Sequence, residues 1–160
     1  MDVNQFWEHA RQGASLNPIQ EWIGPRVWGT VPPAAWAFGD TPEVADALAD
    51  QVVAGTKTTT SSLLWQYEAA DAPLPEQGEL GIVLDGSDSP RALILTTEVR
   101  VVPFHLVDES HALGEAASLA QWRRIHEELA RGADDGAHPF TTDMPVVLER
   151  FELLYARPRD

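Results

Sequence analysis

The sequence predicts a single α+β domain, and three observations carry that expectation. Residues 41–55 and 118–132 each combine helix-start chemistry, one apolar stripe and a closing glycine. Residues 80–102 hold two β-rich runs around the turn Gly86-Ser87-Asp88-Ser89-Pro90, the pattern of an antiparallel hairpin. A last run, 146–156, alternates like a further strand. The length of 160 residues suits one domain, and 44% apolar residues suffice for a core.

Composition narrows the function classes. There are no cysteines, which removes disulfides, thiolate zinc sites and a cysteine nucleophile, and fits a reducing compartment. No basic-plus-apolar leader and no apolar run of spanning length is present, so a soluble, cytoplasmic protein without membrane contact is expected. The net charge is −14, from 25 acidic and 11 basic residues. Such a surface repels phosphate backbones and disfavours double-stranded DNA or long RNA, but leaves room for a nucleoside or a short single strand.

Along the chain, residues 4–12 form an amphipathic helix with Phe6, Trp7 and Ala10 inward and Gly13 as its stop. Residues 13–40 are broken by prolines and glycines yet carry Trp22, Trp28, Trp36 and Phe38. Residues 1–37 therefore read as a helix and a Trp/Pro-rich segment packed on the core, and 38–157 as the domain proper, in one globular unit. Thr41 caps a helix that starts at Pro42, with Glu43 in the first turn and Gly55 as left-handed terminus. Residues 56–60 read as a short strand, Ser61 as the cap of a brief helix through Tyr67, and 71–78 as a loop. After the hairpin, 103–114 is irregular. Ser118 caps a helix bearing Trp122 and His126 on its apolar side, ended by Gly132.

Several motifs fail. Gly55 and Lys57 lack the spacing of a phosphate loop, and a helix precedes them instead of a strand. The five histidines show no metal-ligand spacing, so no metal and no cofactor is expected. There is no Gly-x-Ser-x-Gly elbow, although a Ser/His/acid triad assembled from distant positions stays open.

The stretch Gly55-Thr56-Lys57-Thr58-Thr59-Thr60-Ser61-Ser62 carries the chemistry that survives. A lysine near hydroxyls deprotonates a nucleophile when its pocket lowers its pKa, and stabilises an oxyanion when it stays charged. Glu98, on the second hairpin strand, offers a proton shuttle, or else is a partly exposed glutamate paired with Arg100 or Arg91. His126 reads as a core or pocket-edge histidine, and Trp122-Arg123-Arg124 as an anion or nucleobase contact or a solvated helix face. Lys57 and Thr60, three apart, share a face only if a turn or bulge follows Gly55.

From Phe38 to Tyr155 the sequence resembles the ASCH domain family, a relative of PUA-like RNA-binding domains. The resemblance rests on Phe38-Gly39-Asp40, Gly55-x-Lys57-Thr58-x-Thr60-x-Ser62, Tyr67-Glu68 before Leu74-Pro75, and Val83-Leu84-Asp85-Gly86. Thr96-Thr97-Glu98-Val99, Pro103-Phe104, Ser118-Leu119 with Trp122-Arg123 and His126, and Val147-x-Glu149-x-Phe151 complete it. It implies a small PUA-like β-barrel surrounded by helices, with a cleft at the Gly-x-Lys motif.

It also implies RNA or nucleoside binding and, in one branch, metal-independent hydrolysis of N4-acetylcytidine. Lys57, Thr60 and Glu98 match that branch's catalytic positions. Gly55, Thr58, Ser62, Tyr67, Trp122, Arg123 and His126 are then the substrate-binding candidates. Ser62 stands where the family's commonest motif has arginine, which puts substrate orientation in doubt. Alternative readings are a ribonuclease or single-stranded RNA-binding module, with Trp65, Tyr67 or a loop tryptophan stacking a base, and a non-catalytic nucleotide sensor. Oligomerisation is left open.

Overall fold

The computed structural model describes residues 1–14 and 31–157. Trp22 and Trp28 of the tryptophan-rich segment lie outside the described residues. The elements in chain order are α1 (Val3–Gly13), β1 (Ala35–Ala37), α2 (Pro42–Ala54), β2 (Thr59–Leu63), α3 (Leu64–Ala69), β3 (Leu80–Leu84) and β4 (Pro90–Pro103). A 3-10 turn (Phe104–Leu106), α4 (Glu109–Ala112), α5 (Leu119–Ala133) and β5 (Pro145–Ala156) follow. The strands hydrogen-bond in the order β1-β3-β4-β5-β2, so the α+β expectation holds.

The chain groups into two compact units. One comprises residues 1–58, 77–97 and 151–160, the other 59–76 and 98–150. In the first, α1 begins with a capping box in which Asp2 accepts from Gln5 N and the Gln5 side chain accepts from Asp2 N. Phe6, Trp7 and Ala10 of α1 pack on Ile82 and Leu93. Thr41 accepts from Val44 N at 3.2 Å, Pro42 occupies the first turn of α2, and Gly55 ends the helix at φ 80°. Ala49 and Val52 of α2 bury against Val83, Ala92, Ile94 and Phe151. The hairpin forms as expected, with Leu80 opposite Leu95 and Ile82 opposite Leu93.

β1 departs from the sequence reading, which left residues 13–40 irregular. Its three residues pair parallel with Ile82 to Leu84 of β3, a partner some 47 positions downstream with no local turn to announce it. Gly86 lets the hairpin turn lie against the start of α2. A Cβ there would sit 2.1 Å from the Pro42 carbonyl oxygen.

The second unit packs Phe104, Val107, Trp122, Ala130, Met144, Val146 and Leu148 into one core. Several local expectations are corrected here. The strand expected at 56–60 is β2, Thr59–Leu63, antiparallel to β5 with Thr60 opposite Glu149 and Ser61 opposite Leu148. Ser61 is therefore a strand residue, and the cap of α3 is Leu63, without a side-chain hydrogen bond. The irregular 103–114 contains the 3-10 turn and α4, which Asp108 caps by accepting from His111 N at 2.8 Å. Ser118 caps α5 as expected by accepting from Gln121 N at 3.1 Å. The helix runs through Gly132 to Ala133, with Asp134 at its end.

Candidate functional site

In the first unit, Lys57 follows the left-handed glycine, and its N–H donates to Gln51 O at 3.1 Å. It is the only lysine in the chain, yet only 5% exposed. Its Nζ lies 4.8 Å from the centre of the Phe38 ring, within cation–π range. Phe38 stacks on Phe151 at 6.2 Å and meets Trp36 edge-on at 6.1 Å, which fixes the ring facing the ammonium. Gly55 is exposed, and Thr58 accepts from Phe151 N at 3.0 Å through its carbonyl.

Thr60 lies in the second unit, half-buried on β2. Its cross-strand partner is Glu149, so the two side chains stand on one face of the sheet. Glu98 is exposed and its Oε1 lies 2.6 Å from Arg100 Nε. Arg100 also reaches Asp108 Oδ2 at 3.3 Å. Of the two readings the sequence left for Glu98, the geometry of its own unit matches the glutamate paired with Arg100.

A well-enclosed carboxylate of this unit is Glu115, which the sequence reading passed over. Its side chain is 8% exposed. The Ser61 hydroxyl donates to Glu115 Oε2 at 2.6 Å. His111 Nε2 lies 2.7 Å from Ser61 Oγ and 3.0 Å from the same Oε2, and His126 Nε2 lies 3.0 Å from Oε1. With both Glu115 oxygens accepting, both imidazoles carry a proton on Nε2. His111 N–H is then shared between Ser61 and Glu115.

This assignment bears on the Ser/His/acid triad left open by spacing. A catalytic base would accept the serine proton on an unprotonated nitrogen, with the carboxylate on the far side of the ring. Here the serine proton points to Glu115, and serine and carboxylate share one imidazole nitrogen. The cluster is a buried hydrogen-bond network, pinned further by Thr59 Oγ1 donating to His111 O at 2.8 Å.

A cleft of about 280 Å³ opens beside the network. Ser61, Ser62, Gln66 and His126 give its polar edge, and Leu63, Phe104, Leu129, Ala130, Ala133 and Val146 its apolar wall. His126 is stacked on Trp122 at 4.3 Å and 26°, and is 17% exposed. Trp122 is itself fully buried, so it backs the cleft through His126. Arg123 is exposed, its guanidinium 3.5 Å from His105 O. Tyr67 sits half-buried on α3, and Trp65 stacks flat on His138 at 4.2 Å.

Among the sequence-predicted residues, Ser62 and His126 line this cleft, with Trp122 behind them. No group of three or more metal-ligating side chains occurs among the described residues. The sequence signal for Glu115 was the pair His111 and Glu115, four apart. The stretch has no periodicity, and the other partners, Ser61 and His126, lie far along the chain.

The ASCH domain model matches residues 34–155. A crystal structure of a protein from Enterococcus faecalis V583 is similar at 32% identity and a TM-score of 0.74, covering 91% of this chain and 86% of that one. The crystal structure of an ASCH domain from Lactobacillus crispatus JV V101 is similar at 25% identity and a TM-score of 0.73, covering 92% of this chain and 95% of that one. No curated protein matches. With a family model spanning the hairpin, α5 and both strands around Thr60, this chain belongs to the ASCH domain family.

Proposed function

We propose that this domain binds the base of a nucleoside or of a short single-stranded RNA. ASCH domains are generally RNA-binding, and the cleft beside Glu115 is the observation that carries the reading to these residues. Its volume, about 280 Å³, falls at the lower edge of the ~300–1,000 Å³ usual for small-molecule sites. Apolar walls suit the faces of a flat ring, and Ser61, Ser62, Gln66 and His126 suit its polar rim. The net charge of −14 favours a small ligand over a long polyanion.

Hydrolysis of a modified nucleoside such as N4-acetylcytidine, giving cytidine and acetate, is the finer reading. The burial of the chain's only lysine supports it. Keeping an ammonium out of water is costly, and such groups concentrate at functional sites. In this reading Lys57 takes the proton of a water or of Thr60, whose oxygen attacks the acyl carbon, and a carboxylate relays that proton to the departing amine. Where Thr60 attacks, a water then hydrolyses the acyl-threonine to acetate and restores the hydroxyl. Glu98 fills the last role by family resemblance, and Glu115 is its competitor by burial.

The test is chromatographic release of cytidine from N4-acetylcytidine by the wild type, Lys57→Ala, Glu98→Gln and Glu115→Gln. Loss of release in Lys57→Ala is expected. Undiminished release in that variant removes Lys57 from the mechanism, and loss in only one carboxylate variant selects that residue. Cleavage of single-stranded RNA with no cytidine release would favour the ribonuclease reading. Cytidine binding without turnover would leave a sensor.

A further inference from the structure

We propose that the backbone N–H and C=O of Ser61 read the ligand in this cleft, and that they select a ring edge on which an N–H donor stands beside an acceptor. The inference rests on the nucleoside reading for the ligand's class, and on the geometry of the β2 edge for its selectivity.

The first observation is where the cleft lies. Ser61, Ser62 and Leu63 are consecutive residues of β2, and all three line it. Side chains alternate across a strand, so Ser61 and Leu63 stand on one face and Ser62 on the other. A cleft that touches all three runs along the backbone edge they share. β5 occupies one edge of β2, and β2 ends the strand order, so no strand of the sheet covers the other edge. α5 supplies the cleft's other main wall, through His126, Leu129, Ala130 and Ala133.

The second observation is the phase of the ladder. In an antiparallel pair every second residue turns its N–H and C=O to the neighbouring strand, and the residues between turn theirs away. Thr58 O accepts from Phe151 N at 3.0 Å, one position ahead of Thr59 opposite Arg150. The Thr59 N–H then leaves β5 and goes to Gly114 O at 3.4 Å. Ser61 has the phase of Thr59, so its N–H and C=O point side by side out of the free edge. Among the described residues neither group has a backbone partner. The Ser61 hydroxyl is engaged elsewhere, donating to Glu115 Oε2 at 2.6 Å with His111 Nε2 at 2.7 Å. A donor beside an acceptor complements the N3 and N4–H edge of cytosine or the N3–H and O4 edge of uracil, and unpaired bases are read on such edges. A single acyl group on N4 leaves one N–H there, so an acylated cytosine keeps the pattern. The apolar walls then take the two faces of the ring.

The experiment is ¹H–¹⁵N NMR of the full chain, following the Ser61 amide during titration with cytidine, N4,N4-dimethylcytidine, N3-methyluridine and 2-pyridone. Cytidine should shift that amide. The two methylated nucleosides, which have lost the donor on this edge, should bind at least roughly ten-fold more weakly. Ser61→Pro deletes the N–H at an edge position where the ladder does not need it. Ser61→Ala, which loses the same hydroxyl and keeps the N–H, is its reference. The proline variant should bind cytidine at least roughly ten-fold more weakly than the alanine variant. Equal affinity of the two variants, or of cytidine and its dimethyl analogue, would overturn the proposal. Cytidine binding seen at other cleft amides with the Ser61 amide unmoved would overturn it too, and would leave the nucleoside reading standing. 2-Pyridone, a bare ring with N–H beside C=O, separates the two levels. If it moves the Ser61 amide while no nucleoside does, the edge chemistry stands and the nucleoside reading falls. If no probe moves that amide, the proposal falls. Where the proline variant does not fold, the ligand series decides by itself.

Discussion

The Ser61 hydroxyl meets Glu115 Oε2 at 2.6 Å across a separation of 54 positions in the chain. It joins the edge strand β2 to the loop between α4 and α5, and Glu115 in turn receives the two imidazoles. Hydrogen bonds to a buried carboxylate contribute more than neutral ones, and an orphaned donor costs more still. Glu115→Ala should lower stability by about 3 kcal/mol, and Ser61→Ala by about 1 kcal/mol. Urea denaturation of both variants and of the double variant checks this. The losses should be non-additive, because the residues share one network.

Lys57 is the sole lysine and is 5% exposed. Native-state reductive methylation should modify it at least roughly ten-fold more slowly than in the urea-unfolded chain, since the reagent needs an opening event. Peptide mass spectrometry distinguishes the side chain from the terminal amine. Equal rates in the two states would show that the ammonium is open to solvent.

Two glycines should respond differently to alanine. Gly55 adopts φ 80°, and a Cβ added there would meet nothing within 4 Å, so Gly55→Ala costs only the left-handed backbone penalty, about 1 kcal/mol. Gly86→Ala places a methyl against the Pro42 backbone, with 2.1 Å to its oxygen, and forces the hairpin turn and α2 apart. It should cost more than Gly55→Ala, about 2–3 kcal/mol. Thermal melts of the pair decide the order.

Asp108 supplies the acid-side signature. The His111 N–H at the start of α4, and after it the Arg100 guanidinium, hold its carboxyl below the ordinary value of 3.8. The folded form therefore binds the proton less readily than the unfolded chain. Its contribution is complete above 3.8 and fades as the pH falls through the lower folded value. Asp108→Asn should be less stable than wild type at pH 7, and the gap should narrow below pH 3.8. Denaturation midpoints measured across that range provide the check.

What could be read from the sequence followed from how local the interactions are. α2 and α5 announced their starts through Thr41 and Ser118, because a cap bonds to a backbone three residues on. The β3–β4 hairpin was readable because its turn is short. β1 was not, because its pairing is parallel and its partner remote. Ser61 looked like a cap because its own neighbourhood allows one. Pairing with Leu148, unseen from either segment alone, makes it a strand residue instead. Glu115 was missed for the same reason as β1: its burial comes from residues brought in from β2 and α5. Lys57 stood out at once, through its hydroxyl-rich surroundings and its place after a helix-ending glycine.

The division into units has a consequence for how this protein can be cut and inherited. The chain passes between the units four times, at 58/59, 76/77, 97/98 and 150/151. Both ends of the chain belong to the same unit, and β4 and β5 are each shared between units within a single unbroken strand. No single scission releases either unit whole, so neither can be shuffled onto another protein as a contiguous segment. A split at the middle of the chain should leave neither unit able to form. Limited proteolysis within β4 or β5 should dismantle both units together.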